Sequence, residues 1–405
     1  FDVSAMLYAL AVEQQWRVGL LVDEAHNMIE RARKMYTAEL DQVRFRLARR
    51  AAPKELKGGF DRVHRLWNAL HAEQQDDYQV YHAIDSKFLF ALQQACSDIS
   101  DAIAAHPDGL HEDAQNFYFD ALHFTRLAES FGEHSLFDIH LQPASADRRS
   151  SVLCVRNVVP APFLQPRLAA AHTATLFSAT LNPWHFHADT LGLPEDTVAI
   201  DVASPFDAQQ LDVHIARHIS TRYQHRDRSL RPIADLMAQQ YSERPGNYLA
   251  FFSSFDYLQK AWQSFNELHP DIPTWQQARG MDENERSAFL QRFVPSGCGI
   301  GFAVLGGAFA EGIDLPGDRL IGAFVATLGL PQINPVNEQM RQRMESAFGA
   351  GYDYTYLYPG LQKVVQAAGR VIRTQQDRGV IHLIDDRYAG DKVLSLLPNW
   401  WAVNR

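Results

Sequence analysis

Cysteine is scarce in this chain: Cys96, Cys154 and Cys298 are the only three among 405 residues, far apart and without Cys-x-x-Cys spacing. That usage argues against a disulfide framework, and against a zinc or iron–sulfur site built from these residues. It fits a reducing cytoplasm. No apolar run approaches the ~20 residues that cross a bilayer. Gly-x-x-x-x-Gly-Lys-Ser/Thr, the loop that cradles nucleotide phosphates, does not occur. Neither a Gly-x-Ser-x-Gly elbow nor a His-Glu-x-x-His pair points to hydrolase chemistry. Positive charge is in deficit too: the net charge of −10 weighs weakly against a polyanion partner. No fixed-period repeat and no low-complexity tract is present.

What is there is a globular composition, 46% apolar and 11% aromatic, long enough for two or three domains. Charge is uneven. Residues 31–67 hold eleven Lys/Arg, including Arg31, Arg33, Lys34, Arg44, Arg46, Arg49, Arg50 and Lys54, against four acids. The stretch that follows, to about residue 150, is acidic. Screening confines fields to roughly 10 Å, so a local basic surface can attract phosphates whatever the total charge. A solvated helix face accounts for the same run equally well.

Residues 17–22 read as a strand buried on both faces. From about 30 to 145 the texture turns helical: few prolines, many Ala, Leu, Gln and Arg, with breaks at Pro53, Gly58-Gly59 and Pro107-Asp108-Gly109. Strand-like runs return at Val152–Val159 and Thr173–Phe177. Beyond about 205, apolar strands at 248–252, 300–305, 320–327 and 380–384 alternate with helical segments at 254–267, 283–293 and 361–373. Such alternation predicts an α/β fold with a parallel sheet covered on both sides.

Two short motifs carry chemistry. Asp23-Glu24-Ala25-His26 ends the first strand, where open α/β sheets bind ligands. Asp23 suits magnesium held through water, and Glu24 suits the water that attacks a γ-phosphate. His26 is expected to link this site to a second domain. A polar strand-end turn is the plain alternative. In Gln366-Ala367-Ala368-Gly369-Arg370-Val371-Ile372-Arg373, a helix would put Gln366, Arg370 and Arg373 on one face. Arginine forks match phosphate oxygens and the charge that develops on them. Gly369, a poor helix former, implies a close approach to the backbone. His185-Phe186-His187 offers two metal ligands without a third, and an exposed loop is expected there. Of the aromatics Phe251, Phe252, Phe255 and Tyr257, the two in the strand read as core.

These motifs resemble those of superfamily 2 helicases of the XPD/DinG type, the iron–sulfur family of 5′→3′ DNA helicases, with bacterial DinG-like proteins the nearer subgroup. Asp23–His26 matches motif II, and 177–183 (Phe-Ser-Ala-Thr-Leu-Asn-Pro) falls at motif III. Residues 248–254 resemble motif IV, 306–314 motif V and Gln366–Arg373 motif VI. The order holds from about residue 17 to Asp385-Asp386-Arg387-Tyr388 and beyond.

The resemblance implies two RecA-like motor domains with parallel sheets, the first incomplete, plus a helical arch-like insertion. Residues 1–29 and 146–200 would be the tail of the first motor, 30–145 the insertion and 201–405 the second motor. It implies catalytic roles for Glu24, Gln366, Arg370 and Arg373. Nucleotide contacts would come from Asp23, Glu24, His26, Glu311, Gly312, Asp314, Gln366, Arg370 and Arg373, with Asp23 holding magnesium. Coupling or DNA contacts would come from Ser178, Thr180, Arg222, Arg226 and Ser253. ATP and Mg²⁺ would be the cofactors, single-stranded and forked or tailed duplex DNA the partners, and the bacterial cytoplasm, at the nucleoid, the location. The missing phosphate loop and the missing cysteines of a 4Fe-4S cluster both precede motif II in the family. With Phe1 a non-initiator residue, they are expected in a longer parent protein. The competing reading is a catalytically silent helicase-like DNA-binding or scaffolding module.

Overall fold

The computed structural model describes residues 2–106, 109–145, 148–309 and 313–404. Glu311 and Gly312 therefore lie outside the described residues. The chain forms two compact units, Phe1–Thr197 with Ile333–Gly351, and Val198–Gln332 with Tyr352–Arg405. Residues 333–351 thus belong to the first unit, where Arg343 Nη1 pairs with Glu133 Oε2 at 2.6 Å.

In the first unit, β1 (Gly19–Val22) runs parallel to β6 (Thr173–Leu176), with Gly19 opposite Thr173 and Val22 opposite Leu176. The sequence predicts β1 buried on both faces, but Leu21 is 78% exposed. Among the described residues β6 is its only strand neighbour. A second sheet is antiparallel, built from β2 (Ala38–Asp41), β3 (Tyr78–Tyr81), β4 (Ser135–Ser145) and β5 (Arg148–Asn157) in the order β2-β5-β4-β3.

This sheet corrects the all-helical reading of residues 30–145, and β5 joins it from beyond residue 145. The helices are there, at Gln42–Ala51, Lys57–Glu73, Ser86–Ala105 and Glu112–Glu129. Their apolar faces carry Phe45, Phe60, Trp67, Phe88, Phe117 and Phe124, all buried. Phe137, Ile139, Leu153 and Val155 of β4 and β5, paired across the sheet, are buried with them. Each such side chain contributes about 1.5–3 kcal/mol on burial. Local signals set the helix starts: Asp41 Oδ1 accepts from Val43 N at 2.6 Å and Arg44 N at 3.2 Å, and Asp85 Oδ1 accepts from Phe88 N at 2.7 Å. Such caps are worth about 1 kcal/mol each.

The second unit is a seven-stranded, all-parallel sheet, as expected. Its strands are β7 (Leu211–Ile215), β8 (Asn247–Phe252), β9 (Thr274–Gln276), β10 (Gly299–Val304), β11 (Gly322–Ala326), β12 (Gly379–Leu383) and β13 (Ala402–Asn404), in the order β13-β7-β12-β11-β8-β10-β9. Every residue of β8 and β11 is buried, the mark of strands covered on both faces. Tyr248, Phe252, Phe302 and Phe324 anchor the core against Tyr257, Ala261 and Phe265 of the helix Phe255–Leu268. Gly329 has φ +74°, and a Cβ there would run into the Gly360 carbonyl. That contact seats the helix Tyr358–Ala368, which leads into motif VI, closely over the loop that follows β11.

Candidate functional site

In the first unit, β1 delivers Asp23 and Glu24 to an exposed strand end. Glu24 is left-handed, with φ 50° and ψ 43°, a conformation that costs a non-glycine residue about 1–2 kcal/mol. Its N–H donates to Asp23 Oδ1 at 2.7 Å, and Ala25 N donates to Phe177 O at 3.1 Å. The strained turn points the two carboxylates outward and buries His26 beneath them. His26 Nδ1 lies 2.6 Å from Ser178 Oγ and 3.2 Å from Glu24 Oε2. Ser178 Oγ in turn accepts from Thr180 N at 3.2 Å.

Motif II and motif III are therefore joined by a hydrogen bond inside one unit. Within its own unit, His26 bonds Ser178. The loop expected at His185-Phe186-His187 is corrected: the segment lies in the helix Trp184–Leu191, and His187 is 1% exposed. Burial, with His26 and His185 nearby, lowers the His187 pKa to about 4, so its ring stays neutral. Among the described residues no cluster of three or more His, Cys, Asp or Glu is arranged to hold a metal.

In the second unit, the motif VI helix stops at Ala368. Gln366 lies on it, but Arg370 and Arg373 do not, so the expected single helical face is not formed. Turn bonds from Arg370 N to Ala367 O and Val371 N to Ala368 O close the helix. Val371 and Ile372 then turn into the core. Asp377 sets the next turn: its Oδ2 accepts from Arg373 N and Thr374 N, each at 2.7 Å, and its Oδ1 from Thr374 Oγ1 at 2.8 Å. Arg373 Nε reaches Asp314 Oδ1 at 3.0 Å, and Arg370 Nη1 reaches Ile313 O at 3.3 Å. Motif VI thus pairs with the end of motif V. The Arg373–Asp314 pair is largely exposed, 35% and 68%, so it contributes orientation more than stability.

A third group gathers at the carboxyl ends of β7, β8 and β12. Arg226 Nη2 donates to Ser253 Oγ at 2.8 Å, and its guanidinium stacks on Tyr257 at 5.1 Å and Tyr223 at 5.3 Å. Its Nε is buried with no partner among the described residues. Arg222 pairs with Asp386 and bonds Ser220 Oγ at 3.2 Å. Beneath them Asp385, 0% exposed, accepts from Thr221 N at 3.0 Å, from the Thr221 hydroxyl and from Arg387 Nε at 2.6 Å. Burial opposes its ionisation, yet the hydrogen bonds and charge of Arg387 and the bonds from Thr221 outweigh that and hold the carboxyl at about 2.

Sequence reasoning did not single out Thr221, Asp377 or Asp385 as structural pins. Thr374 and Asp377, three apart in a polar turn, carried a weak local signal; Thr221 and Asp385 carried none.

Residues 237–404 match the helicase C-terminal domain family. The chain is 26% identical over 264 residues to the ATP-dependent DNA helicase chl-1 of Caenorhabditis elegans, covering 60% of this chain and 31% of the relative. Against the ATP-dependent helicase DinG of Mycobacterium tuberculosis it is 26% identical over 269 residues, 63% of this chain and 39% of that protein. The matches thus span about a third of the length of these relatives. The solved structure of Xpd4 from S. tokodaii superimposes with a TM-score of 0.60 at 14% identity, covering 95% of this chain and 75% of that one. Taken with the motif pairings in both units, these matches make the chain similar to the XPD/DinG-type superfamily 2 helicases, with residues 237–404 matching their helicase C-terminal domain.

Proposed function

We propose that this chain is the motor portion of an ATP-dependent 5′→3′ DNA helicase that moves along single-stranded DNA and unwinds forked or tailed duplexes. One observation carries the reading. Motifs far apart in sequence meet at hydrogen-bond distance inside each unit, His26 with Ser178 at 2.6 Å and Arg373 with Asp314 at 3.0 Å. Names of relatives, such as ATP-dependent DNA helicase, support DNA as the substrate.

Glu24 orients and deprotonates the attacking water, and His26 passes the state of that site to Ser178 and Thr180. Arg370 and Arg373 stabilise the charge spreading over the transferred phosphate, with Gln366, Asp314, Glu311 and Gly312 contributing to nucleotide contacts. Arg222, Arg226 and Ser253 contact the DNA backbone. Magnesium fits the exposed oxygen donors at the end of β1, because one or two carboxylates suffice; it supplies charge neutralisation on the phosphates, and Asp23 would hold it. An iron–sulfur cluster does not fit these residues: Cys96 and Cys154 are buried apart from exposed Cys298, and three thiols do not make the four-ligand set. We place the phosphate-binding loop and any cluster in a longer parent protein, working in the bacterial cytoplasm at the nucleoid.

Arg370→Ala in that parent tests the assignment. DNA-stimulated hydrolysis should be abolished while nucleotide binding is largely kept. Strong loss of binding with normal turnover per bound ATP would refute it.

A further inference from the structure

Two insertion helices, Lys57–Glu73 and Ser86–Ala105, form a surface groove of about 410 Å³ lined by Arg62, Arg65, Leu66, Lys87, Phe90 and Ala91. No helicase motif contributes to it. The inner faces of these helices bury Phe60, Val63 and Trp67, and Phe88, Leu92 and Ala95. Phe90 points the other way and is 59% exposed, at a helix position where amphipathic patterning calls for a polar residue. Ala91, 1% exposed, closes the floor beside it.

Among the described residues, Arg62, Arg65 and Lys87 make no ion pair and no side-chain hydrogen bond. The nearby basic residues Arg44 and Arg49 differ, being paired with Asp120 and Asp61. Three uncommitted cations therefore rim one uncommitted aromatic ring. Lys54 and Lys57, both exposed, extend the positive charge toward the start of the first helix.

We propose that this groove binds single-stranded nucleic acid, with one base stacked on Phe90 and adjacent phosphates held by Arg62, Arg65 and Lys87. The inference rests on the DNA-acting function above and gives that function an anchor outside the motifs. Flat aromatic rings stack on any base, and guanidinium and ammonium groups neutralise backbone phosphates. The lining has no side-chain amide or hydroxyl to read base edges, so binding should be indifferent to sequence. Charge complementarity selects a polyanion. The ring favours one with flat apolar faces, which nucleic acid has and an acidic peptide of aspartate and glutamate lacks.

The test uses the full chain and a short fluorescein-labelled oligothymidylate, read by anisotropy across a salt series. Phe90→Ala should weaken binding about 5- to 150-fold, and Phe90→Trp should restore it. Arg62→Ala with Arg65→Ala should lower the slope of log K against log salt by about 1.4. Circular dichroism and melting checks that each variant is folded, since all three positions lie on outer helix faces. Wild-type affinity in Phe90→Ala, or an unchanged slope in the arginine pair, overturns the proposal. Binding of poly-glutamate that Phe90→Ala abolishes, with oligonucleotide affinity unchanged, would give the groove to an acidic protein instead. Arg226→Ala separates the two readings: if it weakens binding and Phe90→Ala does not, only the groove proposal falls. A wild-type chain that binds no oligonucleotide sinks both.

Discussion

Asp385→Asn is the most informative single change in the second unit. The native carboxylate is 0% exposed and accepts from Thr221 N, the Thr221 hydroxyl, and Arg387 N, Nε and Nη2. Asparagine keeps the volume but turns one acceptor into a donor facing other donors, and it removes the countercharge of Arg387. A carboxyl held at about 2 rather than its ordinary 3.8 corresponds to roughly 2–3 kcal/mol at neutral pH, at 1.36 kcal/mol per pH unit. An orphaned Thr221 N–H adds about 1–3 kcal/mol. These effects overlap, so the expected loss is about 3–5 kcal/mol. Urea unfolding followed by tryptophan fluorescence measures it.

The pH dependence carries a definite sign. Because the folded carboxyl is held low, its stabilisation is complete above about pH 4 and is lost as pH falls toward 2. The gap between wild type and Asp385→Asn should therefore be constant at neutral pH and shrink in acid. A variant as stable as wild type at pH 7, or a gap indifferent to pH, would refute the reasoning. The same change frees Thr221, next in sequence to Arg222, so DNA affinity should fall along with stability.

A double-mutant cycle on His26→Ala and Ser178→Ala should give a coupling of about 1 kcal/mol in the unfolding of the first unit; strict additivity would mean the 2.6 Å contact carries no energy. Gly379→Val should destabilise the second unit by about 1–3 kcal/mol or more, because a side chain there drives into Val371; a melting temperature within a degree or so of wild type would contradict this. ATP turnover by these 405 residues alone should be poor with or without DNA, since no anchored phosphate loop is present. Robust DNA-stimulated hydrolysis would count against that expectation.

The parallel sheet was legible because its strands are solid apolar runs, such as Tyr-Leu-Ala-Phe-Phe at 248–252, set between helical periods. The antiparallel sheet of the first unit was not. β2 and β3 are four residues each, too short to show a period against long helical surroundings. The motif residues were legible as chemistry but not as geometry. Within Gln366–Arg373 only Gly369 hints that the helix ends at Ala368, and that glycine reads as a close approach; Asp377, which shapes the turn beyond it, acts from outside the motif. The Thr221–Asp385 bond was invisible for a related reason: it joins loops that only the completed sheet brings together.

β7 has an awkward place in the order of synthesis. Its two neighbours are β12 and β13, formed by residues 379–383 and 402–404. A ribosome emitting Leu211–Ile215 therefore releases a ribbon of unmatched amides and carbonyls whose companions are still untranslated. Pairings so distant in sequence are slow to close, and an open edge invites the wrong chain in the meantime. Yield of this protein in a heterologous host should accordingly respond to chaperone supply and growth temperature more than to any change at the motifs.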